Sequence, residues 1–235
     1  MTTALAESFG LTSPLVQSGT TVQRIYGDLR QRIITLDLAP DTTLARNELA
    51  AGYGVSQTPV REALQLLRQE GLVFIFPQSK TVVTRIDVPK VYEAHFLRLA
   101  LETEVCRRLA VADNGAILAR ARSIIRMQEA IAEDMSQIAL FQELDELFHQ
   151  TLFAGVGQTG LNHLSRERSG HLERIRRLHL PETGKVLSIL AGHNDIVAGI
   201  ASGDPEQAMR AVRDHLSQTV ARVEILRQEF PQYFA

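Results

Sequence analysis

The sequence predicts a mainly α-helical protein built from two domains. Residues 21–86 contain three short amphipathic helical patterns followed by two runs of β-branched and aromatic residues, which predicts three helices and a β-hairpin. Residues 87–235 show helical periodicity almost throughout. The expected architecture is therefore a winged helix-turn-helix followed by an all-α antiparallel helical bundle. A chain of 235 residues with 45% hydrophobic content is long enough for both cores.

The first two helices follow a segment without a sustained period. Residues 1–20 are small and polar, so we expect a flexible leader there. Apolar residues between Val22 and Ile34 recur at helical spacing and predict an amphipathic helix that ends near Leu36. Leu44 to Tyr53 predict a short second helix, which a tight glycine-containing turn separates from the third.

The third helix, Val55–Gly71, is expected to enter DNA. Ser56 is placed to cap its start, Pro59 falls in the first turn, and Gly71 ends the pattern. One side carries apolar residues at spacings of three and four, suited to a core. The opposite side carries polar residues that can reach phosphates and base edges, namely Gln57, Thr58, Arg61, Gln65 and Arg68.

A β-hairpin is predicted after this helix. The runs Leu72–Phe76 and Thr81–Ile86 are separated by residues 77–80. The tip residues Gln78, Ser79 and Lys80 are candidates for phosphate or minor-groove contact, with Lys80 the strongest. A solvated tip without any DNA contact is the alternative.

This first domain resembles the GntR family of bacterial transcription regulators. The matching residues are Val55-Ser56, Thr58 to Leu64 and Glu70 to Val73. The resemblance implies a homodimer that binds a near-palindromic operator in double-stranded DNA. The DNA-binding residues it suggests are Arg46, Ser56, Gln57, Thr58, Arg61 and Lys80. Gln57 stands where many members have arginine, and Ser79-Lys80 replaces a common glycine, so the operator sequence stays open.

Short breaks divide the second domain into helices. Glycine, asparagine or proline interrupts the pattern near residues 113–115, 155–160, 181–185 and 202–205. Six helices fit between and around these breaks. Polar residues that such a bundle points inward are candidates for a ligand or metal site.

Three histidines and one aspartate form the candidate metal site. Asp145 and His149 are four residues apart and share a helical face; on their own they would equally suit a surface ion pair. His193 and His215 lie in patterned helices and can face the same interior. Such a set suits a divalent cation, zinc first, with nickel, manganese or iron as alternatives.

Arg98 is a candidate for binding an acid. It lies among apolar residues, where a guanidinium is costly to bury unless an anion meets it. A small carboxylate effector could meet that need, and a salt bridge to Glu102 or Glu143 is the alternative.

The second domain resembles the FCD ligand-binding domain of the FadR-type branch of the GntR family. The matching pieces are Leu97 to Glu102, Asp145 to His149, His193 to Asp204, Ala208-Met209 and His215-Leu216. The resemblance implies that Asp145, His149, His193 and His215 hold a metal ion and that Arg98 helps to hold a carboxylate effector. Gly192 is a departure, because a glutamate often precedes this histidine in the family.

Two function classes follow. The first is a metabolite-responsive transcription regulator; the second is a metal-dependent hydrolase or lyase in which the metal activates water. No nucleophile motif, phosphate loop or His-Glu-x-x-His motif supports the enzyme, so we expect a protein that is not an enzyme. A purely structural metal is a third reading. A single cysteine, the lack of a signal segment and the lack of a membrane-spanning run predict a cytoplasmic protein without a membrane partner.

Overall fold

The computed structural model describes residues 20–77, 79–180 and 184–235. Residues 1–19 of the predicted leader and Gln78 of the predicted hairpin tip lie outside the described residues. The backbone contacts divide the chain into two compact units that meet between Ile86 and Asp87. The described chain is mainly helical with one small sheet, which confirms the predicted fold class.

The first unit contains three helices and three short strands. Their bounds are α1 Thr21–Ile34, β1 Thr43–Leu44, α2 Arg46–Tyr53, α3 Gln57–Gln69, β2 Val73–Ile75 and β3 Thr81–Val83. Thr20, assigned to the leader from the sequence, is the N-cap of α1: its side chain accepts from the Gln23 amide, and the Gln23 side chain accepts from the Thr20 amide. This reciprocal pair satisfies two amides that a helix start leaves unpaired.

The β-hairpin gains a third strand that the sequence did not reveal. The strand order is β1-β3-β2, all antiparallel, with Thr43 opposite Val82 and Val73 opposite Val83. Leu44, predicted to belong to the second helix, lies in β1 instead. The reason is that β3 offers a free edge to the segment before α2, and a two-residue strand is too short to show alternation.

Ser56 lies at the predicted N-cap position of α3, but it does not cap the helix as predicted. Ser56 occupies the N-cap position with an extended backbone, but its side chain makes no capping hydrogen bond. Gly54 precedes it with a φ of 67°, a left-handed conformation that ends α2 and turns the chain toward α3. The buried side of α3 is the one predicted, formed by Val60, Ala63, Leu64 and Leu67.

The second unit contains eight α-helices among its described residues, so the expected six is wrong. They are α4 Val88–Ala110, α5 Gly115–Ile131, α6 Ile138–Gly155, α7 Thr159–Arg168, α8 Gly170–His179, α9 Lys185–Ala201, α10 Pro205–Val220 and α11 Val223–Glu229. Three further breaks, at residues 132–137, at Ser169 and at residues 221–222, are not among the four predicted. None of them contains a glycine, asparagine or proline, the residues from which breaks were predicted.

Helices α4 and α5 join the helices that carry the candidate metal site. Helix α4 packs on α6, α9 and α10, α5 packs on α6 and α9, and α9 and α10 pack on each other. Most of the core side chains between them are aliphatic or phenylalanine. Within the described residues, no helix is long and apolar enough to cross a membrane.

Candidate metal centre and DNA-binding helices

The structure brings the predicted quartet together. Asp145 and His149 lie one turn apart on α6, His193 comes from α9 and His215 from α10. One potential ligand atom from each residue lies within 4.8 Å of the others, and none of the four residues is more than 8% exposed. Three helices therefore contribute to one buried group of nitrogen and oxygen donors.

The quartet has the polar atoms that a cation would satisfy. Asp145 Oδ1, His149 Nε2, His193 Nε2 and His215 Nδ1 are buried and have no hydrogen-bond partner among the described residues. His193 Nε2 lies 3.4 Å from Asp145 Oδ1. Burying four polar atoms without hydrogen-bond partners costs free energy unless an ion or another polar group binds them. Imidazole nitrogen and carboxylate oxygen suit zinc and other divalent metals, so these residues fit such an ion.

Two hydrogen bonds outside the quartet orient its histidines. Glu102 Oε2 lies 2.6 Å from His149 Nδ1, and Gln128 Oε1 lies 2.9 Å from His193 Nδ1. Since a carboxylate only accepts, His149 Nδ1 carries the proton and its Nε2 keeps a lone pair for a metal. The sequence reading missed both roles. The available signal for Gln128 was a polar residue next to the apolar run of α5.

Burial and neighbouring charged groups together set the charge of the quartet. Burial lowers the pKa of His193 to about 4 despite the opposing effect of Asp145. Burial, helped by His193 and His149, also holds the pKa of His215 well below its usual value. Burial alone would raise the pKa of Asp145, but Arg176 and its histidine neighbours hold it well below its usual range. At neutral pH His193 and His215 are therefore neutral and Asp145 is a carboxylate, the forms that bind metal.

Arginines surround the quartet. Arg98 Nε donates to Glu102 Oε1 at 2.6 Å, so the alternative salt bridge to Glu102 is present. Arg176, on α8, pairs with Asp145. Two small cavities, of about 30 and 40 Å³, lie on either side, and both are lined by Arg98, Asp145 and Arg176. Lys185 lines the first. Arg176 and Lys185 were not predicted: Arg176 lies on a helix that contributes no ligand, and Lys185 lies eight residues before His193 on α9.

The chain at the start of the second unit is also tied to α8. The backbone N–H of Asp87 donates to His171 Nδ1 at 3.0 Å, and Arg174 donates to the same nitrogen at 2.9 Å. His171 is buried at the start of α8, and Arg176 lies five residues further along. His171 is therefore a structural acceptor and not a fifth member of the quartet.

The residues predicted to bind DNA lie at the surface of the first unit. Gln57, Thr58 and Arg61 are exposed in the first turns of α3, Ser56 is exposed before them, and Arg46 is half-buried at the start of α2. Gln57 Nε2 donates to Asn47 Oδ1 at 2.7 Å, a partner that the sequence reading missed. The two helices thus meet through an exposed amide pair.

Lys80 follows the hairpin tip. It is exposed, and its ammonium lies 5.5 Å from the ring centre of Phe76. Phe76 packs edge-on against Phe74, whose side chain is 55% exposed. The hairpin therefore presents the Lys80 ammonium group next to a pair of phenylalanine rings.

Comparison with known proteins decides the family. The model of the bacterial regulatory proteins of the gntR family matches residues 21–83, and the FCD domain model matches residues 92–218. The chain belongs to the GntR family of transcriptional regulators. This GntR regulator is similar to an HTH-type transcriptional regulator in an unstable DNA locus of Streptomyces ambofaciens, with 39% identity over 93% of this chain and 92% of that protein.

Two further likenesses agree with the assignment. The HTH-type transcriptional repressor RspR of Escherichia coli is 30% identical over 91% of this chain and 93% of the relative. The solved structure of E. coli McbR/YncC has the same fold, with a TM-score of 0.72 and 20% identity over 91% of this chain and 100% of that chain. The family and these relatives are transcriptional regulators and not enzymes, so the hydrolase or lyase alternative is dropped.

Proposed function

We propose that this GntR regulator binds a near-palindromic operator as a homodimer and senses a small organic acid at a divalent-metal site in its FCD domain. In this proposal it belongs to the FadR-type branch and works in the cytoplasm, where its DNA target lies. The observation that carries the sensing part is the convergence of four unpaired buried donor atoms from Asp145, His149, His193 and His215. Zinc is our first choice of metal.

Arg61 is the main DNA contact in this proposal. It is exposed in the second turn of α3, where a long cationic side chain can reach a guanine edge or a phosphate. Arg46, Ser56, Thr58 and Lys80 position the protein on the backbone. In a homodimer, two copies of α3 would enter major grooves about one helical turn apart.

The Asn47–Gln57 pair supports a preference for adenine. Their hydrogen bond fixes one amide against the other and leaves Gln57 Oε1 to accept and Asn47 Nδ2 to donate. Adenine presents the complementary donor and acceptor, N6 and N7, in the major groove. Gln57 therefore reads a base in this proposal, and Asn47 orients it.

The effector is a small carboxylate. Arg98, Arg176 and Lys185 line the cavity next to Asp145 and His215, so an acid that binds the metal would also meet cations. The cavities are large enough only for a few waters. Effector entry therefore requires side chains such as Arg176 to move, which gives the effector a means of favouring one conformation.

Replacing Arg61 tests the DNA contact. Arg61→Ala should weaken binding to a duplex selected from a random library by the wild-type protein, by about 10-fold or more, because one specific contact contributes about 1–3 kcal/mol. Arg120→Ala, which removes an exposed arginine on α5 of the second unit, is the matched control and should bind nearly normally. Fluorescence anisotropy at several salt concentrations measures both. Undiminished, equally salt-sensitive binding by Arg61→Ala would show that α3 does not read DNA in this way.

Repeating the selection with Gln57→Ala tests the amide pair. We expect the selected duplexes to show no preference for A·T at one position of each half-site where the wild type prefers it, since the amide that would bind the adenine edge is gone. Gln69→Ala, in the last turn of the same helix, should keep the wild-type preference. An unchanged preference in Gln57→Ala contradicts the adenine assignment while leaving DNA binding itself intact.

Replacing His193 tests the metal site. His193→Ala should lower the metal retained by the purified protein and abolish the response of DNA binding to added organic acids, with DNA affinity in their absence near normal. His163→Ala, an exposed histidine on α7, is the control. Elemental analysis and DNA titrations measure the two effects. Unchanged metal stoichiometry would refute the four-residue metal site. Loss of metal with an intact acid response would indicate a purely structural ion.

A further inference from the structure

Helices α9 and α10 approach each other at two glycines. Gly192 faces His215, and Gly199 faces Ala208. The members of each pair are seven residues apart on their own helix, and the order reverses between the helices, so the two helices run antiparallel along this line. Seven residues span about 10.5 Å of helix. The close approach therefore extends over two turns and is not a single chance contact.

Gly192 leaves the space that the His215 ring occupies. A Cβ at this position would lie 2.4 Å from His215 Nδ1, 3.1 Å from its Cγ and 3.2 Å from its Cβ. Rotating the ring would relieve the overlap with Nδ1 but would move the very atom that is left unpaired for an ion, and the contacts with Cγ and Cβ would stay tight. The ring or the α10 backbone beneath it would have to move.

The neighbouring contact restricts how the backbone can move. A Cβ on Gly199 would lie 3.0 Å from Ala208 Cα and 3.2 Å from Ala208 N and from Gln207 O. All three are backbone atoms at the start of α10, so the two helices are already at close contact there. An outward shift of α10 near His215 would also disturb this packing.

Gly192 and Gly199 both lie inside α9 and lower its stability, so their presence there needs a compensating advantage. Each costs roughly 0.5–1 kcal/mol relative to alanine in a helix interior. Asp145 and His149 share α6 and His193 lies on α9, so three donors assemble without α10. Only His215 depends on how closely α10 approaches, and the Gly192 gap lies directly against its ring.

We propose that Gly192 is a positioning residue for the metal site of this chain: because α9 and α10 are already in close contact at Gly199, the missing side chain of Gly192 admits the His215 ring as the fourth ligand. This inference rests on the proposed metal site. An added methyl group at residue 192 displaces His215 and leaves a site of three protein ligands. Gly192 touches no metal itself and acts only through His215.

A double-mutant cycle with Co²⁺ and Zn²⁺ tests the proposal. Metal affinity and the visible Co²⁺ absorption spectrum are measured for the wild type, Gly192→Ala, His215→Ala and the double variant. We expect Gly192→Ala to lower affinity by about 10-fold or more, as changes next to a ligand commonly do, and to shift the spectrum as His215→Ala does. In the His215→Ala background, Gly192→Ala should have no further effect, because its target is gone.

The matched control is Gly160→Ala on α7, where an added Cβ would meet nothing within 4 Å; its affinity and spectrum should equal the wild type. Wild-type affinity and spectrum in Gly192→Ala overturn the inference. A wild type that binds neither metal refutes the proposed metal site itself, which is a distinguishable failure. If Gly192→Ala does not fold, circular dichroism of the double variant decides: recovered folding supports overlap with the His215 ring, and continued unfolding overturns it.

Discussion

Glu102 contacts two of the candidate site residues at once, His149 and Arg98. Its two oxygens lie next to His149 Nδ1 and Arg98 Nε, so it orients a candidate metal ligand and neutralises a guanidinium. Glu102→Gln keeps the shape and removes the charge. Metal affinity should fall by about 10-fold, measured by Zn²⁺ competition titration. Glu143→Gln, an exposed acid on α6, is the control and should bind as the wild type does.

The same substitution has a pH signature. Burial raises the pKa of Glu102, but Arg98 and His149 outweigh it and lower the pKa to about 2. A carboxyl with a lowered pKa contributes stability that is present above its unfolded value and is lost as pH falls toward the folded value. In metal-free protein, the wild type should unfold at a higher temperature than Glu102→Gln at pH 7, and the gap should narrow below pH 4.5. A gap independent of pH would contradict this role.

The candidate metal ligands could be found from the sequence, while the residues that support them could not. Asp145 and His149 share a helical spacing, and the motif resemblance singled out His193 and His215. Gln128 and Arg176 reach the site from other helices, and no spacing rule links α5 or α8 to α6. Contacts between helices depend on packing, which a single sequence does not specify.

The hairpin is the element whose contribution to DNA binding is simplest to test. Lys80→Ala removes one exposed cation from its tip. Affinity should fall by a similar factor for every duplex, and the slope of log affinity against log salt should decrease by about one, because one phosphate contact is lost. Lys90→Ala, an exposed lysine on α4, should leave the slope unchanged. An unchanged slope in Lys80→Ala would favour the solvated tip.

Elements were predictable where glycine, proline or a clear period marks them. The start of α3 and the breaks at residues 113–115 and 202–205 carry such signals. The break at Ser169 carries none; there the Ser169 hydroxyl donates to the Arg166 carbonyl and contacts Glu173. Strand β1 is set by pairing with β3, about forty residues away in sequence. Local side-chain hydrogen bonds and distant strand pairing are weak signals in any short window of sequence.

For the whole molecule, the location of the quartet predicts which unit a metal stabilises. All four candidate ligands lie in the second unit and come from three of its helices. A ligand that binds only the folded state raises stability. Added Zn²⁺ should therefore slow hydrogen exchange in α6, α9 and α10 and leave α1 to α3 unchanged. His193→Ala is the control. Equal protection of both units, or none in either, would contradict a site confined to the second unit.

Helix α8 contacts two residues that lie far apart in sequence, Asp87 and Asp145. Near its end Arg176 pairs with Asp145, and at its start His171 accepts the backbone N–H of Asp87, which is bonded to the last residue of the first unit. In the proposed function, an acid that draws Arg176 away from Asp145 would break one contact of this ten-residue helix, which also packs on α4, α7, α10 and α11. If the proposed acid binds there, its effect would reach the Asp87 amide, which neither the metal nor the acid contacts, through this one helix, at the start of the link from the first unit.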